Sequence, residues 1–213
     1  MLMKKLFWKI LNGFKLGGPI QLYINSQLKE DGWFNTFYKK ESVDKNNNPI
    51  PWYSYSFIKF LEPRLKKEFS VFEYGSGNST LWFSKRVKTV KAVEHDKNWY
   101  EKVKANLPAN AEIVYREREN NYYAKEVSAS ENKYEIIIID GVDRNNCVYE
   151  SVNSLLQNGV IIFDNSERED YKSSIEFLFS QGFKKIDFWG MCPVTPINTC
   201  TSVFYKDGNC LGI

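Results

Sequence analysis

Residues 136–139 are four consecutive isoleucines, and that run sets the strongest limit on the fold. Successive side chains of a β-strand point to opposite faces, so this segment has no polar side to offer water. It suits a parallel strand covered on both faces by helices. The rest of the chain fits such a sheet. Short β-rich runs stand at 70–74, 89–94, 112–115, 134–140, 160–164, 184–189 and 201–205. Helix-like runs stand at 53–61, 79–86, 97–106, 146–157 and 170–181, the fourth ending at the capping pair Asn158-Gly159. The alternation predicts a doubly wound α/β domain with right-handed crossovers and a mostly parallel sheet of seven strands. The last two strands are joined by a loop with Pro193 and Pro196 and no helix, so the final strand should run antiparallel.

A chain of 213 residues holds one ordinary domain and a short appendage. The texture divides near residue 62. Residues 63–213 carry the strand and helix alternation. Residues 1–62 form an aromatic-rich N-terminal extension, with Trp33, Phe34, Phe37, Tyr38, Trp52, Tyr53, Tyr55 and Phe57 crowded ahead of the sheet. Aromatics make up 16% of the chain, more than a core of this size needs. Some are expected to cap the strand ends and line a pocket, others to staple the extension to the domain. Leu6, Phe7, Ile10, Leu11 and Phe14 recur at helical spacing among Lys4, Lys5, Lys9 and Lys15. Such a helix can pack on the domain, on a second copy in a homo-oligomer, or peripherally on an anionic membrane through residues 1–16.

Composition excludes several classes. A net charge of +3 is too small for a nucleic-acid partner held by charge alone. No apolar run approaches the ~18–20 residues of a membrane span. Lysines interrupt any signal-peptide core in the first residues, and Cys147, Cys192, Cys200 and Cys210 show no CxxC spacing. A cytoplasmic protein with reduced thiols is therefore expected. The lone histidine, His95, removes most zinc sites and most Ser-His-Asp schemes.

The most specific local signal is Glu73-Tyr74-Gly75-Ser76-Gly77-Asn78-Ser79-Thr80, where the first strand gives way to a helix. Glycines there let the backbone turn sharply and approach a ligand, and the amides of the helix start can meet a polar group. A dinucleotide fingerprint would place a third glycine where Thr80 stands, and Glu73 would repel a pyrophosphate. A ligand with a cation near the loop fits better, and the methionine moiety of S-adenosylmethionine carries one in its α-amino group. The second strand ends in Glu94-His95, where an acid can accept both hydroxyls of a ribose.

Glu73-x-Gly75-x-Gly77 followed by Glu94 resembles the first two motifs of the class I S-adenosylmethionine-dependent methyltransferases, over residues 70–206. The resemblance implies a Rossmann-like fold, S-adenosylmethionine as cofactor and methyl transfer to a small-molecule acceptor. It also implies that Glu73, Gly75, Ser76, Gly77 and Asn78 hold the methionine end, Glu94 the ribose, with His95 beside the adenine. Asp140-Gly141 and Asp164-Asn165, at the ends of the fourth and fifth strands, resemble in part the catechol-type O-methyltransferases, which need a divalent metal. That likeness implies Asp140, Asp164 and Asn165 as oxygen ligands of Mg²⁺. The catechol-type enzymes carry a lysine base three residues after the first aspartate, whereas this chain has Asp143 there, followed by Arg144. The alternative is a metal-free polar pocket shaped by Asp140, with Asp143 as general base and Asp164 second in line. The expected reaction is O-methylation, with a saccharide or glycan precursor as the leading acceptor. A non-catalytic protein that binds the cofactor and an NAD-type oxidoreductase are the rival classes.

Overall fold

The computed structural model describes residues 2–129 and 131–213. Met1, Ser130 and the side chains of Leu2 and Lys4 lie outside the described residues, so of the basic set around the first helix Lys4 falls outside. Helices α1 (Leu2–Gly13), α2 (Gly17–Ile24), α3 (Gln27–Glu30), α4 (Trp33–Lys39) and α5 (Tyr55–Leu61) come first. The alternating part follows as β1 (Ser70–Tyr74), α6 (Asn78–Ser84), β2 (Thr89–Glu94), α7 (Lys97–Lys104), β3 (Ala111–Tyr115), α8 (Tyr122–Lys125), β4 (Tyr134–Ile139), α9 (Arg144–Ser151), β5 (Leu155–Asp164), α10 (Lys172–Ser180), β6 (Lys184–Met191) and β7 (Asn198–Tyr205).

The seven strands make one sheet in the order β3-β2-β1-β4-β5-β7-β6. Strands β1 to β5 pair in parallel, and β7 runs antiparallel between β5 and β6. The chain steps outward from β1 to β3 and then crosses back to lay β4 beside β1. The sheet therefore changes direction between β1 and β4, and a crevice opens outside their carboxyl ends.

The isoleucine run behaves as its composition demands. Ile136 and Ile138 pack with Val71, Val160, Ile162 and Val203 on one face. Ile137 and Ile139 pack with Phe72, Tyr74, Ile161 and Phe163 on the other. All four isoleucines are fully buried, each worth about 1.5–3 kcal/mol relative to exposure.

The helix expected over 146–157 is shorter. Strand β5 already begins at Leu155, opposite Tyr134, and the pairing shifts register before Ile136 meets Val160. Asn158-Gly159 is thus a bulge in a strand rather than a helix cap. A Cβ on Gly159 would lie 2.6 Å from Leu155 Cγ and 2.9 Å from the Tyr134 carbonyl, so only glycine fits the bulge.

The extension does not stop cleanly at residue 62. Ile50, Tyr53, Phe57 and Leu61 share one core cluster with Val71 and Ile136. Upstream, Trp33 Nε1 donates to the Thr195 carbonyl at 3.2 Å, and Thr36 Oγ1 accepts from the Val194 amide at 2.7 Å. These bonds hold α4 on the loop between β6 and β7, over the carboxyl end of β5. Helix α1 packs on α2 and leaves most of its apolar residues exposed. The four cysteines are free and buried.

Candidate active site

Gly75 ends β1 with φ +92°, and its amide donates to the Val93 carbonyl at 2.9 Å. A Cβ there would meet Gly141 Cα at 3.2 Å, and a Cβ on Gly141 would run into the Tyr123 hydroxyl. The loops after β1 and β4 therefore touch backbone to backbone, which two glycines permit. Gly77, at φ +158°, leads into α6.

Glu73 points from the end of β1 into this crevice and is 1% exposed. Thr80 Oγ1 accepts from the Gly77 amide at 3.0 Å and donates to Glu73 Oε2 at 2.5 Å. Thr80, legible in the sequence only as a missing glycine, is thus the hydroxyl that holds the acid. Burial pushes the Glu73 carboxyl up to about 7, against hydroxyl bonds from Ser79 and Thr80 that pull it down.

Glu94 ends β2 and is 4% exposed. Its Oε1 accepts from the amides of His95 and Asp96 at 2.8 and 2.9 Å, with His95 Nδ1 at 3.0 Å. Among the described residues, its Oε2 accepts only from Ser76 Oγ, at 2.9 Å. The backbone thus fixes one oxygen, while the other is held by a single hydroxyl that can turn away. A cavity of about 260 Å³ is lined by Glu73, Gly75, Ser76, Ser79, Glu94, His95 and Asp140. A second cavity of about 370 Å³ shares Ser76, Ser79 and Asp140 with it and extends past Asn78 to Ser42, Trp52 and Trp99. Asn78 Nδ2 donates to the Ser42 carbonyl at 2.7 Å, fastening the extension to the loop. Trp99 Nε1 donates to the Ser76 carbonyl at 2.7 Å. A hollow of about 390 Å³ lies at the opposite strand ends by Ser70 and Thr89, remote from Glu73 and Asp140, and has no part in this site.

Every expected cofactor residue, Glu73, Gly75, Ser76, Gly77, Asn78, Glu94 and His95, lines one of these two cavities. The expected catalytic and metal residues divide differently. Asp140 reaches both cavities. Asp143, expected as a general base, does not line either. It stands at φ +51° ahead of α9 and turns both carboxylate oxygens to Asn146 Nδ2, each at 3.0 Å.

Asp140, Asp164 and Asn165 do come together, but around a side chain. Arg144 Nη2 donates to Asp140 Oδ1 at 3.1 Å, and Nη1 faces Asn165 Oδ1 at 3.4 Å. Arg144 Nη1 also donates to the Asp164 carbonyl, and Nε to the Gly141 carbonyl at 2.9 Å. Asp164 Oδ1 accepts from Thr201 Oγ1 at 2.6 Å. A guanidinium thus takes the place in which the sequence suggested Mg²⁺. These residues do not fit a divalent ion in this arrangement, because one oxygen of each aspartate and the Asn165 oxygen are turned to Arg144 or Thr201, and the guanidinium between them would repel a second cation. Among the described residues, no group of three or more His, Cys, Asp or Glu is arranged to hold a metal.

Burial raises Asp140 to about 7, opposed by Arg144 and helped by repulsion from Glu73. Asp164 is pushed well above the usual carboxylate range by burial and then by Asp140. Burial works against the charge on Arg144, and the joint attraction of Asp140 and Asp164 outweighs it. Asp140 has a side chain 24% exposed, and it is exposed toward the cavities.

Tyr53 lies near the three acids without lining either cavity, and was legible beforehand only as one aromatic among many. It is fully buried, and its hydroxyl has no hydrogen-bond partner among the described residues. Burial raises its pKa, and the carboxylates of Glu73, Asp140 and Asp164 raise it further, so the phenol stays protonated.

Glu73 predicts a measurable pH effect. Its carboxyl binds a proton up to about pH 7 when folded and loses it near the ordinary value of 4.5 when unfolded. Between those values the folded chain holds the extra proton, so this group's contribution to stability falls as pH rises and levels off above about 7. Unfolding free energies from urea titrations at about pH 5 and about pH 8 should differ less in Glu73→Gln than in the parent chain, by an amount on the order of a few kcal/mol. Parallel behaviour of the two chains would contradict the buried, unpaired acid.

No protein-family model matches the sequence. No curated protein matches it either. Solved structures do match its fold. A precorrin-6y C5,15-methyltransferase from Geobacter metallireducens superposes with a TM-score of 0.58 at 13% identity, over 71% of this chain and 87% of that one. An rRNA methylase from Streptococcus thermophilus gives 0.54 at 16% identity, over 70% and 93%. A Streptococcus mutans protein assigned as a methyltransferase and solved with SAH gives 0.52 at 12% identity, over 70% and 94%. At such identities the likeness is one of fold. With its β1–β4 switch point, its glycine loop and its antiparallel β7, this chain has the Rossmann-like fold of the class I S-adenosylmethionine-dependent methyltransferases.

Proposed function

We propose that this chain is an S-adenosylmethionine-dependent methyltransferase that methylates a hydroxyl of a small acceptor without a metal ion. The observation that carries the reading is Glu73, a buried acid with no cationic partner among the described residues, facing one cavity with Glu94 and the glycine loop. An ammonium group in that cavity would supply the missing charge, so the site fits the methionine end of the cofactor. The complex of the Streptococcus mutans neighbour with SAH supports the same ligand class. The precorrin and rRNA chemistries named for the other neighbours differ from one another, and neither is assigned to this chain.

When bound, S-adenosylmethionine supplies a methyl group on a sulfonium, the electrophile of an in-line displacement. The protein has to hold the acceptor in line and take its proton. Glu73 would hold the α-amino group, with Ser79 and Thr80 keeping the carboxylate oriented. Glu94 would accept the ribose hydroxyls, through Oε2 once Ser76 turns. Asp140, near neutrality at about 7, would take the acceptor proton on the oxygen that Arg144 leaves free. Helix α4 and the β6–β7 loop lie over this end of the sheet and would limit water. Trp52, 44% exposed on the second cavity, offers a flat face that suits a sugar ring, which keeps a saccharide as the leading acceptor.

Titration calorimetry with S-adenosylmethionine and S-adenosylhomocysteine should show binding at one site. Glu94→Ala should weaken both by about 1.5–3 kcal/mol, the range for hydrogen bonds to a charged group. Unchanged affinity in that variant would remove the ribose assignment, and binding of NADH but of neither sulfur compound would remove the whole reading.

A further inference from the structure

We propose that α1 forms a docking surface for anionic lipid bilayers, independent of the reaction above. Met3, Leu6, Phe7, Ile10 and Phe14 are 84%, 59%, 57%, 53% and 73% exposed. At the pitch of an α-helix these five lie within an arc of about 100°. Leu11 and Trp8 continue the arc beyond Phe7 and are partly covered. The apolar face of the helix is therefore wider than the side in contact with protein, and the stripe from Leu6 to Phe7 faces outward. Leu16 and, around α2, Leu22, Tyr23 and Ile24 are also about half exposed.

Charge selects the partner. Lys9 stands exposed about 60° from the edge of the stripe, Lys5 is exposed farther round the helix, and Lys15 follows it. The first acidic residue of the sequence is Glu30, and the lysines before it carry more charge than the whole chain's net +3. An exposed apolar stripe on an acid-free helix that carries lysines on its polar side matches a surface with acyl chains beneath anionic headgroups. A second copy docked on the same stripe would set this acid-free segment against itself, lysine against lysine, which disfavours a self-complementary contact. No helix among the described residues is long and apolar enough to cross a membrane, so the contact is peripheral.

The test is co-sedimentation of the full chain with vesicles of phosphatidylcholine alone, and of equal parts phosphatidylcholine and phosphatidylglycerol. Binding should be at least about tenfold stronger on the anionic vesicles, and it should weaken as salt screens the lysines. The pair Phe7→Asp and Ile10→Asp should abolish it. The melting temperature should hold, since both side chains are exposed. Lys5→Glu with Lys9→Glu should remove the preference for anionic lipid. Equal binding to the two vesicle types, binding to neither, or undiminished binding by the aspartate pair would overturn the proposal. A dimer in sedimentation velocity that the aspartate pair disperses, without vesicle binding, would assign the stripe to a second copy instead.

Discussion

Asp140→Asn should lower turnover by about 10²–10⁴-fold, the range for loss of a general base, while cofactor affinity stays nearly unchanged. The asparagine keeps an oxygen for Arg144 Nη2, so the local framework survives and only proton acceptance is lost. The pH profile is the sharper readout. With the acid at about 7, the parent rate should climb as pH rises through neutrality, because the base works deprotonated. The variant should lose that limb. The acceptor for the assay would come from cell-extract fractions screened with labelled S-adenosylmethionine. Full turnover in Asp140→Asn would show the carboxylate to be incidental.

Arg144→Met should destabilise the fold by about 3–5 kcal/mol, the cost of removing one partner from a buried ion pair. Methionine fills much of the volume but leaves Asp140 and Asp164 close together without a cation. The loss should be greater at about pH 8 than at about pH 5, because near pH 5 the two carboxyls escape repulsion by holding protons. Denaturant midpoints at the two pH values measure both effects. The same arrangement predicts that parent turnover is indifferent to EDTA. Activity lost to chelation and restored by Mg²⁺ would show that Arg144 is not the cation that serves these carboxylates.

Much of this architecture is legible in the sequence, because it depends on local periodicity. Residues 136–139 had to be a strand buried on both faces, whatever its neighbours. Glu73 stands one residue before the end of its strand and Glu94 at the end of its own, so the parallel sheet carries both to the same edge, and Gly75 marks the turn after the first. The sequence therefore determined the fold class and the acids at the mouth of the crevice. Gly159 was read as a helix cap because a glycine after a polar run looks the same in a cap and in a bulge. Only the pairing of Leu155 with Tyr134 distinguishes the two.

The middle of the site depended on directions that no local pattern encodes. Asp143 and Arg144 are adjacent in sequence, yet one turns back to Asn146 and the other reaches across the ends of β4 and β5. Asp140, Asp164 and Asn165 looked alike as metal ligands or as partners of an arginine, since both arrangements need oxygens at two strand ends. Tyr53 lies far from all of them in sequence and enters through the packing of the segment that leads into α5. Strand ends follow from the period of the chain, and so the sequence alone places the acids. Which cation lies between them, and which hydroxyl faces them, is decided when separate elements pack and buried charges must find partners.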